Sequence, residues 1–173
     1  MNNELQGAAA VRTGREFENE TSLHGKLPYN FSVYDHSITK KGGFLDQNFP
    51  HLDHSNKWPH RTFQPDQTVY NGHVDLFNNN PLVRPTIYII EKKYAEVDGS
   101  HYQKLPYSIY LKEMYEKLFE DYNVNVEYIL LMSSSWYDNK KYYDLYEYIK
   151  KSGIDYYFDE IPATVFGLNK YLK

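Results

Sequence analysis

The sequence predicts an α/β fold in which a mixed central sheet is flanked by helices. Three observations predict it. Short runs rich in β-branched and aromatic residues, at 67–70, 86–94, 124–132 and 154–158, read as strands. Two longer stretches, 105–122 and 140–152, repeat their apolar residues at helical spacing. Turn residues such as Asn71-Gly72, Asp98-Gly99 and Gly153 separate these runs. The coarse order is α-β-β-β-α-β-α-β, and right-handed crossovers would cover both sheet faces.

The elements follow in chain order. Asn3 to about Leu23 reads as a first helix. Asn2 or Asn3 caps it, Glu4 suits its first turn, and Leu5, Ala8, Ala9 and Val11 form a small apolar stripe. Gly14 interrupts that pattern. Phe31 to Tyr34 suits a short strand. The stretch 36–64 lacks sustained periodicity and contains Gly42-Gly43, Pro50 and Pro59, so it is expected to be a long loop insertion. Asn71-Gly72 is a hairpin signal between strands 67–70 and 73–77. Asn78-Asn79-Asn80-Pro81 turns the chain into 86–94, completing a three-stranded meander. The helix 105–122 places residues 107, 110, 111, 114, 115, 118, 119 and 122 on one apolar face. Strand 124–132 follows, then a loop at Ser133 to Trp136. The helix 140–152 ends at Gly153, and strand 154–158 is closed by Pro162.

The length, 173 residues, suits one domain with a sizeable core. No cationic stretch precedes an apolar one, and no apolar run approaches membrane-spanning length, so a soluble, cytoplasmic protein with no membrane partner is expected. The absence of cysteine excludes disulfides, zinc ribbons and thiol nucleophiles. A net charge of −4 argues against a general nucleic-acid coat protein. It is compatible with a metal-dependent site, which must itself be acidic. The four arginines, Arg12, Arg15, Arg61 and Arg84, all precede Glu91. If the chain contacts DNA bases, the N-terminal half is the place to look. Within 36–64, Lys40, Lys41, Lys57 and Arg61 alternate with Phe44, Phe49 and Trp58, as suits an arm laid on DNA. Nineteen tyrosines, sixteen of them from Tyr88 onward, read chiefly as core and surface of an amphipathic fold.

The chemistry concentrates at one strand. The apolar run Thr86 to Ile90 ends in Glu91-Lys92-Lys93. Alternation turns Glu91 and Lys93 to one sheet face and Lys92 to the other. Burying such a pair costs on the order of several kcal/mol per ion unless it is compensated. Upstream lies Pro65-Asp66, with 24 residues between Asp66 and Glu91. Phosphodiester hydrolysis uses a divalent cation to offset developing charge and lower the pKa of a water. Mg²⁺ needs only one or two carboxylates, because it keeps several waters.

The P-D…E-x-K pattern, on strands followed by a long helix and another strand, resembles the PD-(D/E)xK nuclease superfamily and its small type II restriction endonucleases. The resemblance extends over about residues 1–160, and the insertion at 36–64 has no counterpart in it. It implies a restriction-endonuclease-like αβββαβ core and a Mg²⁺-dependent, sequence-specific endonuclease acting on double-stranded DNA. It implies Asp66, Glu91 and the Lys92 carbonyl as metal ligands, with Lys93 orienting the attacking water. Glu18 on the first helix is the candidate for an accessory catalytic glutamate. Asp75 is the alternative metal ligand to Asp66, with 15 residues before Glu91. A double-strand cut implies a homodimer, or a heterodimer with a larger subunit. Lys40, Lys41, Lys57, Arg61, Arg12 and Arg15 are the candidate DNA contacts.

Other readings compete. A structure-specific nuclease of the same superfamily, such as a junction resolvase or repair nuclease, would use the same site. A catalytically silent member would bind DNA or a partner without cutting it. Zinc at His51, His54, His60 and His73 is disfavoured, because the prolines oppose a helix there and no cysteine completes the set.

Overall fold

The computed structural model describes residues 13–36, 38, 43–52, 64–72, 84–95 and 100–168. Five strands form one sheet in chain order: β1 (Ser32–Tyr34), β2 (Gln67–Tyr70), β3 (Thr86–Lys93), β4 (Asn125–Met132) and β5 (Asp155–Phe158). β1 and β2, and β2 and β3, pair antiparallel. β3 and β4, and β4 and β5, pair parallel. The sheet is therefore mixed and changes direction at β3. Parallel neighbours need a long connection, and helices supply it: α3 (Tyr107–Leu118) between β3 and β4, and α5 (Tyr143–Lys151) between β4 and β5.

Alternation along the strands divides the core between two faces. Ile87 and Ile89 of β3, with Tyr128 and Leu130 of β4, pack against Tyr115 and Leu118 of α3 and Tyr146 and Ile149 of α5. α2 (Phe44–Asn48) joins the same layer. Tyr88, Ile90, Ile129 and Leu131 face the other way, against Phe17 of α1 (residues 13–20) and Phe166 of a 3₁₀ turn, Ala163–Phe166. The result is a helix–sheet–helix sandwich.

Several expectations are corrected. The meander is not built as 67–70, 73–77, 86–94. β2 is bonded on one edge to β1 and on the other directly to β3, so no strand stands between them. Residues 73–77 lie outside the described residues. The Asn71 side chain instead accepts the Thr86 N–H at 2.6 Å and clamps the start of β3. A Cβ at Gly72 would collide with the Tyr70 ring, which accounts for glycine there.

The insertion is not wholly loop. Its described part forms α2, with Ile38, Phe44, Leu45 and Phe49 buried. Phe44 meets the rings of Tyr34, Phe49, Tyr70 and Phe119, with centroids 5.1–6.1 Å apart. Phe44 and Phe49 are therefore core residues and unavailable to DNA. Buried aromatics of this kind stabilise through area as well as edge-to-face geometry.

The α3 stripe is narrower than its spacing predicts. Tyr115, Leu118, Phe119 and Tyr122 are buried, whereas Tyr107 and Tyr110 are 58% and 50% exposed. Residues 134–137, expected as loop, form the short helix α4 (Ser134–Tyr137). The tight turn after β4 is stitched to β3 by Ser133 N–H donating to the Lys93 carbonyl at 3.0 Å. Gly153, at φ 76°, ends α5 as its pattern predicts.

Phe44→Ala is expected to lower unfolding stability by about 3–5 kcal/mol. Tyr29→Ala, at an 89% exposed position, should change it by less than about 0.5 kcal/mol. Urea titration of both variants checks this. A small effect at Phe44 would mean that α2 is not part of the core.

Candidate functional site

The site forms where β2 gives out beside the longer β3. Gln67 pairs with Ile90, and one step further Asp66 comes beside Glu91. Glu91 lies on the face under α3, and the Asp66 charge acts on it from the strand edge. Asp66 Oδ2 accepts the Lys92 backbone N–H at 2.6 Å. A carboxylate thus replaces the ladder partner that β2 no longer provides. The N–H and C=O of one strand residue point to the same side, so the Lys92 carbonyl faces the same edge of β3.

Glu91 is buried, and its Oε2 accepts from Lys93 Nζ at 2.9 Å. Burial pushes the Glu91 carboxyl above its ordinary range. Lys93 opposes that shift, while Asp66 adds to it. Behind the pair lie Tyr115 and Tyr128, whose hydroxyl pKa values are raised by burial and then by the Glu91 charge. Sequence reading missed this aromatic backing. Its signal is the alternation of β4, which puts Tyr128 on the same face as Leu130.

Lys92 points to the opposite face, as alternation predicts. Its Nζ donates to the Glu18 backbone carbonyl on α1 at 2.9 Å. Burial lowers the Lys92 ammonium below its usual pKa, while Asp66, Asp35 and Glu18 partly restore it. Glu18 therefore meets Lys92. It does not join Asp66 and Glu91 in a three-carboxylate cluster. Buried Gln67 ties the surroundings together: its amide donates to Ser22 Oγ and Asp35 Oδ1 and accepts from Leu23 N–H.

Among the described residues, no three His, Cys, Asp or Glu side chains converge as a metal cluster. The groups that could hold a cation at this edge are the Asp66 and Glu91 carboxylates, with the Lys92 carbonyl on the same edge. Asp66 Oδ2 and Glu91 Oε2 are each held by a donor, which orients both carboxylates. Two neighbouring like charges favour a cation between them. The set suits a hard, largely hydrated ion such as Mg²⁺.

A cavity of about 460 Å³ opens beside Lys93. Glu18, Lys92, Lys93, His101, Lys104 and Tyr107 are among its lining residues. A larger groove, about 930 Å³, lies between the 20–28 segment and the 159–166 segment and includes none of Asp66, Glu91 and Lys93.

Of the expected DNA contacts, Arg15 is exposed on α1. Arg12, Lys40, Lys41, Lys57 and Arg61 lie outside the described residues, as does Asp75. Gln103 is exposed on a 3₁₀ turn, Ser100–Lys104, where its side-chain amide donates to the Tyr102 hydroxyl. His51 is exposed, and the other three histidines considered for zinc are not described. Among the described residues, no helix is long and apolar enough to cross a membrane. No protein-family model matches the chain, and no curated protein or solved structure matches it.

The raised carboxyl of Glu91 has a pH signature. The folded state holds this proton more tightly than the unfolded chain does. Stability therefore falls as pH rises from the ordinary carboxylate pKa through the raised one, and the loss persists above it. Glu91→Gln is expected to flatten that slope. In metal-free buffer it should stabilise the protein near pH 7 and bring no gain near pH 4, roughly the ordinary Glu pKa. Urea unfolding across that interval reads it, and parallel slopes for the two proteins would refute it.

Proposed function

We propose that this protein is a Mg²⁺-dependent DNA endonuclease of the PD-(D/E)xK type, acting site-specifically as type II restriction enzymes do. The observation that carries the reading is the neighbouring carboxylates Asp66 and Glu91, with Lys93 bonded to Glu91 at 2.9 Å. The element order supports it. Apart from α2 between β1 and β2, a helix, three antiparallel strands, a helix and a parallel strand follow the αβββαβ order of that superfamily, with Glu91 and Lys93 on the third strand and Asp66 just before the second.

Asp66, Glu91 and the Lys92 carbonyl would hold the ion. When bound, Mg²⁺ neutralises charge developing on the phosphoryl oxygens and acidifies a water. The chain's own residues supply the rest. Lys93 places an ammonium next to Glu91, where it favours hydroxide over water and offsets negative charge in the transition state. Asp66, fixed by the Lys92 N–H, is held without rotamer loss at the moment of reaction. Buried Tyr115 and Tyr128 feel the Glu91 charge, and such a buried setting strengthens electrostatic interactions there. In-line attack on phosphorus then expels the 3′ oxygen. Two such sites are needed for a double-strand cut, so a homodimer or a larger partner subunit is part of the proposal.

Incubation with long unmethylated phage DNA should give discrete fragments that require Mg²⁺. Glu91→Ala and Lys93→Ala should each reduce the cleavage rate by about a hundredfold or more. Wild-type cleavage by either variant would overturn the site. Cleavage of four-way junctions with intact linear duplex would shift the reading to a structure-specific nuclease.

A further inference from the structure

We infer that the first turn of α3 is a stacking platform for an unpaired nucleotide, at the mouth of the cavity that Lys93 also lines. The inference rests on the nuclease reading and selects its substrate: DNA with a single-stranded or extruded position. Tyr107 and Tyr110 are more than half exposed, although their helical spacing suits a buried stripe. Their rings stack on each other, with centroids 5.4 Å apart and planes 28° from parallel. A preformed, exposed aromatic pair offers a flat π-surface that any base can cover.

Its surroundings name the occupant. Tyr107 lines the 460 Å³ cavity together with Lys93, Lys104 and His101. Lys93 is the member of the candidate catalytic group that lines this cavity; Asp66 and Glu91 do not line it. Lys104 is exposed and suits a phosphate. Tyr107 and Ser108, in the first turn of α3, both stand at the cavity wall. Aromatic planes beside a cationic pocket match a base and its phosphate. An intact duplex keeps its bases stacked internally and offers the platform no face to cover.

The test reads binding rather than cleavage. Fluorescence anisotropy follows a labelled oligothymidylate, and the same strand paired with oligoadenylate, in Ca²⁺ in place of Mg²⁺ and in EDTA. The wild-type chain should bind the single strand more tightly than the duplex. Joint Tyr107→Ala and Tyr110→Ala substitution should weaken single-strand binding about tenfold and leave duplex binding unchanged. The corresponding Phe variants should restore it, and Tyr148→Ala on α5 should have no effect. Equal or tighter duplex binding, absence of single-strand binding, or wild-type affinity in the doubly substituted protein would each overturn the inference. If the expected binding pattern is seen but no DNA is cut in Mg²⁺, the platform stands and the nuclease reading falls.

Discussion

The site depends on one mismatch in strand length. β3 runs eight residues and β2 only four. β3 therefore extends past its antiparallel neighbour while still paired on its other edge with β4. A backbone N–H left facing the vanished strand must find an acceptor or incur a desolvation cost of about 1–3 kcal/mol. Asp66 meets that need through Lys92 N–H. In doing so it is brought beside Glu91. The same bond that finishes the sheet assembles the two carboxylates.

The three charged residues of β3 are then resolved by different means. Lys93 neutralises Glu91 on the α3 side, at the partly exposed edge. Lys92 crosses to the other side and reaches the Glu18 carbonyl of α1. Phe17, one residue earlier, packs against Tyr94 and into that face of the core. α1 is thus held by apolar packing and by the ammonium it receives. Buried charges are retained here with specific partners, although an apolar substitute would often be no less stable. That argues for their use in function.

Much of this was legible locally. Strands β3, β4 and β5, helices α3 and α5 and the glycine stop at 153 follow from propensity, period and turn chemistry. The opposite directions of Glu91 and Lys92 follow from the two-residue period alone. The failures share a cause. Phe44 and Phe49 look like loop aromatics because α2 is too short to show a period, yet tertiary packing makes them core. Tyr107 and Tyr110 have the spacing of a buried face, but α3 turns Ser108, Leu111, Tyr115 and Leu118 to the core and leaves the two tyrosines outside. The meander failed because a hairpin signal at Asn71-Gly72 says nothing about which strand is the final neighbour.

By itself, the sequence determined which residues carry charge at the end of an apolar strand, and which of them share a face. Those depend on chain-local geometry. Tertiary structure decided that Asp66 bonds the Lys92 N–H beside Glu91, that the Glu18 carbonyl meets Lys92, and that Tyr107 and Lys93 line one cavity. Each of these needs the register between strands and the seating of helices on the sheet. Register and seating are set by the summed burial of residues far apart in the chain, so no local pattern encodes them.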